Sequence, residues 1–352
     1  MLVHLVLITS IFVAFSSYKG QKLISPSFVL IGLFAVFRYE FGNDYSSYKR
    51  WYDHIKAGGE SPYKGEFGFS LLNRISPSFF LIIATTTIFF LVVIYFLIKD
   101  NLDANFGSIA FLIFIINPYL FLVNLSAIRQ CIALCIFIIS LTFAKNKNFK
   151  IYVLLIILAA LFHASAVLLI PVYFIINDRK ITRIHALIIG VIMTVLLLAD
   201  VLIETVLKTG LEIISRPDYI HYFNEGSSNS LRATILTGIY FVYVLINLKN
   251  LKGFHLICGK LYLFGLVFGV LAYHFAMFTR LQMYFDIFSI ITIPAILQYH
   301  VNNDEGKVSR FFNLYAFPAI ILLIYILRYI SFFNNPIWKS FTSYHTIFEA
   351  IL

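Results

Sequence analysis

Residues 145–183 read KNKNFKIYVLLIILAALFHASAVLLIPVYFIINDRKITR, and the fold turns on how the apolar stretch 151–176 within them is taken. Lys145, Lys147 and Lys150 precede that stretch, and Arg179, Lys180 and Arg183 follow it. Short loops rich in Lys and Arg stay in the cytoplasm, so both ends belong on one side. A single crossing cannot place them there. The stretch therefore predicts two short helices that enter and return, a partly re-entrant pair with its turn near Phe162 and His163 toward the outer surface.

Working outward, the same rule places Lys19, Lys22, Lys99, Lys249, Lys252, Lys307 and Arg310 inside without contradiction among the short loops. Apolar runs at 2–18, 23–37, 78–98, 106–123, 127–144, 184–203, 231–248, 256–277, 281–299 and 311–331 have about the length that crosses a hydrocarbon core. The expectation is an all-α polytopic integral membrane protein, a single transmembrane domain of about ten full spans plus the short pair at 151–176. Both termini come out external, as do two larger loops, 38–77 and 204–230. The run 2–18 lacks a basic leader and is followed by lysines, so it reads as a retained first helix.

Composition agrees. Hydrophobic residues make up 60% of the 352 and charged residues 12%, half the share of a soluble domain, roughly 25%. The net charge of +10 would suggest nucleic acid in a soluble protein, but here the basic residues sit in short loops and report topology. Cys131, Cys135 and Cys258 lie in apolar runs without a CxxC pair, which implies neither a disulfide framework nor a metal site. P-loop, GxGxxG and GxSxG motifs are absent, against an ATP-driven pump, a dinucleotide enzyme and a serine hydrolase. The expected inside carries 11 Lys and 3 Arg, the outside 5 Lys and 8 Arg. Arginine's planar fork matches phosphate bidentately, so its excess outside points to an anionic ligand there.

Four motifs could carry chemistry. Arg38-Tyr-Glu40-Phe-Gly42-Asn43-Asp44-Tyr45-Ser-Ser-Tyr48 opens the first outer loop, with Asp44 or Glu40 as proton acceptor and Tyr45, Tyr48 and Trp51 as sugar-stacking surfaces. Arg129 and Gln130 sit near the start of an apolar run, where a charge costs about 2.5–3.5 kcal/mol and should face a cavity or a partner. His163 falls at the tip of the re-entrant pair, placed to act as a general base. Arg280 and Tyr284 are four apart and share a helix face that could hold a phosphate.

Together these motifs, Arg38-x4-Asn43-Asp44-Tyr45-x2-Tyr48, Ile128-Arg129-Gln130-x2-Ala133, Phe162-His163-x-Ser165-Ala166 and Arg280-x3-Tyr284-Phe285, resemble the EpsG-type, Wzy-like polysaccharide polymerases. Gly42-Asn43-Asp44 stands where that family often has Gly-Thr-Asp. The resemblance implies polymerisation of undecaprenyl-diphosphate-linked oligosaccharide repeat units at the periplasmic face of a bacterial inner membrane, as in O-antigen or exopolysaccharide assembly. Arg129 and Arg280, with Arg38 as a third, would clamp the diphosphate, and Gln130 and Tyr284 would orient it. Asp44 or His163 would be the base. Arg216, Asp218, Tyr219, His221 and Tyr222 of the second outer loop would bear on repeat-unit choice. No DxD-like pair stands outside, since Asp100 and Asp103 are placed inside, so the expected transfer needs no metal or other cofactor. Expected partners are the lipid-linked donor and acceptor, the bilayer and a chain-length regulator, but no nucleic acid. The rival readings are a lipid-linked oligosaccharide flippase and a membrane acyltransferase acting on polysaccharide.

Overall fold

The computed structural model describes residues 1–18, 21–61, 65–176, 205, 209, 231–275, 277–303 and 306–349. The run 184–203 and, apart from residues 205 and 209, the loop 204–230 lie outside the described residues. The chain gathers into two units, residues 1–177 with 322–352, and residues 178–321.

In the first unit α1 (Leu2–Phe15) and α2 (Ile24–Val36) are joined by the paired two-residue strands β1 (Ser17–Tyr18) and β2 (Gln21–Lys22). Next come β3 (Arg38–Tyr39), α3 (Tyr45–Lys56) and α4 (Phe67–Ile75), then α5 (Phe79–Lys99), α6 (Ala104–Ile116), α7 (Leu122–Ser126), α8 (Ile128–Lys145) and α9 (Phe149–Ala160). Ser78 starts α5 by accepting the Leu81 amide at 3.2 Å, and Asn148 starts α9 by accepting that of Ile151 at 3.2 Å. Each satisfies a donor that the helix itself leaves open. Lipid gives helices no hydrophobic reason to associate, so polar cross-links and close packing must hold them. The Ser108 hydroxyl of α6 donates to the Ala14 carbonyl of α1 at 2.6 Å, and the Ser25 and Tyr95 hydroxyls join α2 to α5 at 2.8 Å. Such bonds contribute about 0.6–2 kcal/mol each.

The segment 151–176 doubles back where its flanking charges require. After α9, Leu161 and Phe162 turn the chain, His163 is extended, and a 3-10 helix, Ala164–Phe174, returns along α9. The Tyr152 hydroxyl donates to Leu169 O at 2.6 Å, and the Tyr173 ring packs on Phe149 and Tyr152 at 4.9 and 5.4 Å. With 12 residues, α9 is only about 18 Å long, short of a roughly 30 Å core.

Some expected runs form full-length helices and others come out shorter. Five described helices are long and apolar enough to cross a membrane: Phe79–Lys99, Ile128–Lys145, Gly253–Tyr273, Phe278–Asn302 and Lys307–Asn334. Five others, Leu2–Phe15, Ile24–Val36, Ala104–Ile116, Phe149–Ala160 and Ala164–Phe174, are apolar but shorter. The expected run 106–123 breaks because Pro118 forces Asn117 out of helical geometry, to ψ 99°. In the second unit the expected run 281–299 lies within the span Phe278–Asn302, which is interrupted at Ile287–Phe288, between Met277–Asp286 and Ser289–Asn302. The last long helix passes through a π turn at Phe312–Ala316. Within that turn, buried Asn313 accepts from the Asn247 side chain at 3.0 Å, and Asn247 Oδ1 meets His300 Nε2 at 2.6 Å.

One end of the first unit carries the loop after α2, the start of α1, β4 and the tip of the re-entrant pair. β3 pairs with β4 (His345–Thr346), Tyr344 donates to Phe34 O at 2.6 Å, Asn43 donates to Ile337 O at 3.0 Å, and Ser340 donates to the Asn43 side chain. Nearby, His4 of α1 bonds the Tyr329 hydroxyl at 2.6 Å. Because α5 and α8 run away from this end to Lys99 and Lys145, the unit's lysine-rich turns gather at the opposite end from Arg38 and Arg129.

Candidate active site

The site is built by α3, the residues just before α4, the first turn of α8 and the turn after α9. Tyr45, Tyr48, Tyr52 and Ile55 recur at helical spacing and form the buried face of α3. That face lies on Phe69 and Phe79, with Tyr48–Phe69 and Tyr45–Phe79 ring centroids 5.5 and 5.2 Å apart. Gly42 lets the loop before α3 touch α7. Its φ is +105°, and a Cβ there would sit 3.0 Å from Ser126 Oγ, which also accepts the Asp44 amide at 3.0 Å.

Three motifs distant in sequence meet around a residue that none of them contains. Glu66, 5% exposed, places one carboxylate oxygen against the Arg129 guanidinium in an ion pair. Its other oxygen lies 3.3 Å from His163 Nδ1 and accepts the Ala164 amide at 3.1 Å. Arg129 Nε also donates to the Tyr48 hydroxyl at 3.3 Å, and its guanidinium carbon stands 5.9 Å from the Tyr48 ring. A cation in the first turn of α8 faces the positive end of the helix dipole, a cost the Glu66 charge offsets. The Ala164 amide is an open donor at the start of the 3-10 helix, which the same carboxylate caps. Burial works against the charged carboxylate. The His163 hydrogen bond and the Arg129 guanidinium outweigh it and hold Glu66 below its ordinary range.

Backbone contacts fix this arrangement. The Gly68 and Phe69 amides both donate to Leu161 O, at 2.9 and 3.4 Å, tying α4 to the turn that carries His163. A Cβ on Gly68 would lie 3.1 Å from that oxygen, so the approach depends on glycine.

The remaining expected residues fall in different places. Asp44 is exposed at the start of α3, one turn before Tyr48, and Glu40 is exposed with a φ of 49°. Tyr45 is buried, its ring edge-on to Tyr39 and Phe79. Gln130 is buried on α8. In the second unit Arg280 is exposed, whereas Tyr284 is fully buried, so the two differ in what they face. The residues 216–222 lie outside the described residues.

Arg38 is enclosed rather than presented, with 2% exposure. Its guanidinium donates to Ala35 O, to Thr87 Oγ1 at 2.6 Å and to Leu125 O at 2.9 Å, clasping α2, α5 and α7. Burial pulls it down to about 10, so it remains a cation near neutrality. Arg38→Ala is expected to cost about 3 kcal/mol of stability, from lost charge-assisted bonds and the cavity left behind. Thermal unfolding of the detergent-solubilised protein measures this, and an unchanged midpoint would show that the clasp contributes nothing.

Glu66 was missed in the sequence. It stands between glycine-bearing residues 58–65 and α4, in no motif, and the one signal was an acid directly before an apolar helical run.

These features define a class: an all-α membrane protein that gathers a carboxylate, an imidazole and a guanidinium at one end of its helices. The model of the EpsG family matches residues 22–346, from the end of β2 to the end of β4. The chain belongs to the EpsG family, the EpsG-type, Wzy-like polysaccharide polymerases, which are associated with glycosyltransferase-like polymerase activity. No curated protein and no solved structure matches the chain.

Proposed function

We propose that this protein joins undecaprenyl-diphosphate-linked oligosaccharide repeat units at the periplasmic face of a bacterial inner membrane. Family membership supports the polymerase class. The observation that carries the site is the meeting of Arg129, His163 and Tyr48 on Glu66. The acceptor sugar's hydroxyl oxygen attacks the anomeric carbon of the donor glycan, and the bond from that carbon to the diphosphate oxygen breaks. The lipid diphosphate leaves with the electron pair, and Arg129 meets its charge. The hydroxyl proton passes to His163, the general base, with Asp44 as the other candidate. Gln130 is proposed to help orient the diphosphate, Arg280 to bind an anionic group of the lipid-linked substrate, and both termini to lie outside.

The test uses purified protein, a defined undecaprenyl-diphosphate-linked repeat unit and excess EDTA, with products resolved by gel or mass. A ladder of lengthened glycans that survives EDTA is the expected result. Failure to elongate the native repeat unit would overturn the polymerase reading and favour a flippase or an acyltransferase. The flippase reading needs cations along a path open to both sides, and the acyltransferase reading needs its key groups toward a cytoplasmic acyl donor. Arg129 and His163 instead share the end of the first unit opposite its lysine-rich turns.

A further inference from the structure

We propose that Glu66 is the positioning residue of this site: it holds His163 with hydrogen on Nδ1, so that Nε2 is the atom that accepts the acceptor hydroxyl's proton. The inference rests on the polymerase reading for the reaction it serves, but its geometry is independent of that reading.

An ionised carboxylate only accepts hydrogen bonds, so the imidazole nitrogen facing Glu66 Oε1 at 3.3 Å must be the one carrying hydrogen. In the neutral ring the lone pair then lies on Nε2. Glu66 is itself poorly suited to take the proton. Its oxygens already receive the Ala164 amide and the Arg129 guanidinium, and these donors favour the charged form over the acid. The division of labour resembles that of carboxylate-held imidazoles generally, in which the acid sets tautomer and aim while the imidazole moves the proton.

Positioning also demands that the two groups stay aligned, and here two separate attachments enforce it. Glu66 and His163 are 97 residues apart in sequence, yet the segment after Glu66 is bonded through Gly68 and Phe69 to Leu161 O, two residues before His163. The same carboxylate pairs with Arg129 through its other oxygen, a contact that the side-chain oxygen of Glu66→Gln can still accept, so that substitution reports on the His163 contact.

The test compares full-length wild type, Glu66→Gln and Glu66→Asp, labelled with 15N-histidine in detergent, with the His163 resonances assigned by their loss in His163→Ala. Wild type and Glu66→Asp are expected to show Nδ1 protonated and Nε2 bare. Glu66→Gln, whose amide can donate as well as accept, is expected to show both tautomers. In single-turnover elongation, Glu66→Gln is expected to slow the reaction at least about 10²-fold with KM for the lipid donor nearly unchanged. The Glu66→Gln/His163→Ala double variant should be no slower than His163→Ala. A His163 tautomer unmoved by Glu66→Gln, or losses that multiply in the double variant, would overturn the proposal. A wild-type protein that fails to elongate the repeat unit sinks the polymerase reading instead, and the tautomer comparison still decides the role of Glu66.

Discussion

Elongation of the lipid-linked repeat unit is expected to fall by about 10²–10³-fold in Arg129→Lys, the loss typical when one preorganised donor to a developing anion is removed. A lysine keeps a positive charge beside Glu66 but presents a single ammonium where the guanidinium presents a planar fork. Arg129→Ala should lose at least as much activity. It should also lose about 3–5 kcal/mol of stability, because it strips a buried carboxylate of its cation. The two variants separate chemistry from folding: Arg129→Lys tests the diphosphate contact in a protein whose melting point stays near wild type. Undiminished elongation by a folded Arg129→Lys protein would place the diphosphate elsewhere.

His163→Ala is expected to slow the chemical step by about 10²–10⁴-fold, the range contributed by a positioned general base. Its effect on folding should be smaller than that of Arg129→Ala, since Glu66 keeps the Ala164 amide and the Arg129 guanidinium. Rapid-quench measurement of a single addition isolates this step from product release. If His163→Ala elongates at the wild-type rate and Asp44→Asn does not, the base is Asp44.

The turn at Phe162 and His163 was legible in the sequence because charge constrains topology strongly, and six basic residues around one apolar stretch admit few solutions. The four motifs were legible as candidates for a related reason: charges and carboxylates are costly in lipid and stand out against it. Glu66 was not, since its meaning comes from partners 63 and 97 residues downstream and no local periodicity announces them. Arg38 was placed correctly along the chain, but its enclosure depends on acceptors from α5 and α7, which the loop sequence does not contain. The run 106–123 was read too long because a hydropathy window runs across Asn117-Pro118, although the proline marks the stop.

The pairing of Arg38 and Tyr39 with Thr346 and His345 has a consequence in time. A ribosome making about 5–20 residues per second delivers Asn43 and then, 297 residues later, Ser340, a gap on the order of 15–60 s. Through that interval the nascent loop before α3 lacks its partner strand, so this end of the first unit cannot close until translation has passed β4. Premature termination between residues 286 and 335 would release a chain with every motif and without β4. A quality-control protease would meet an open loop in that chain, and a tag fused just after β4 would emerge beside the loop.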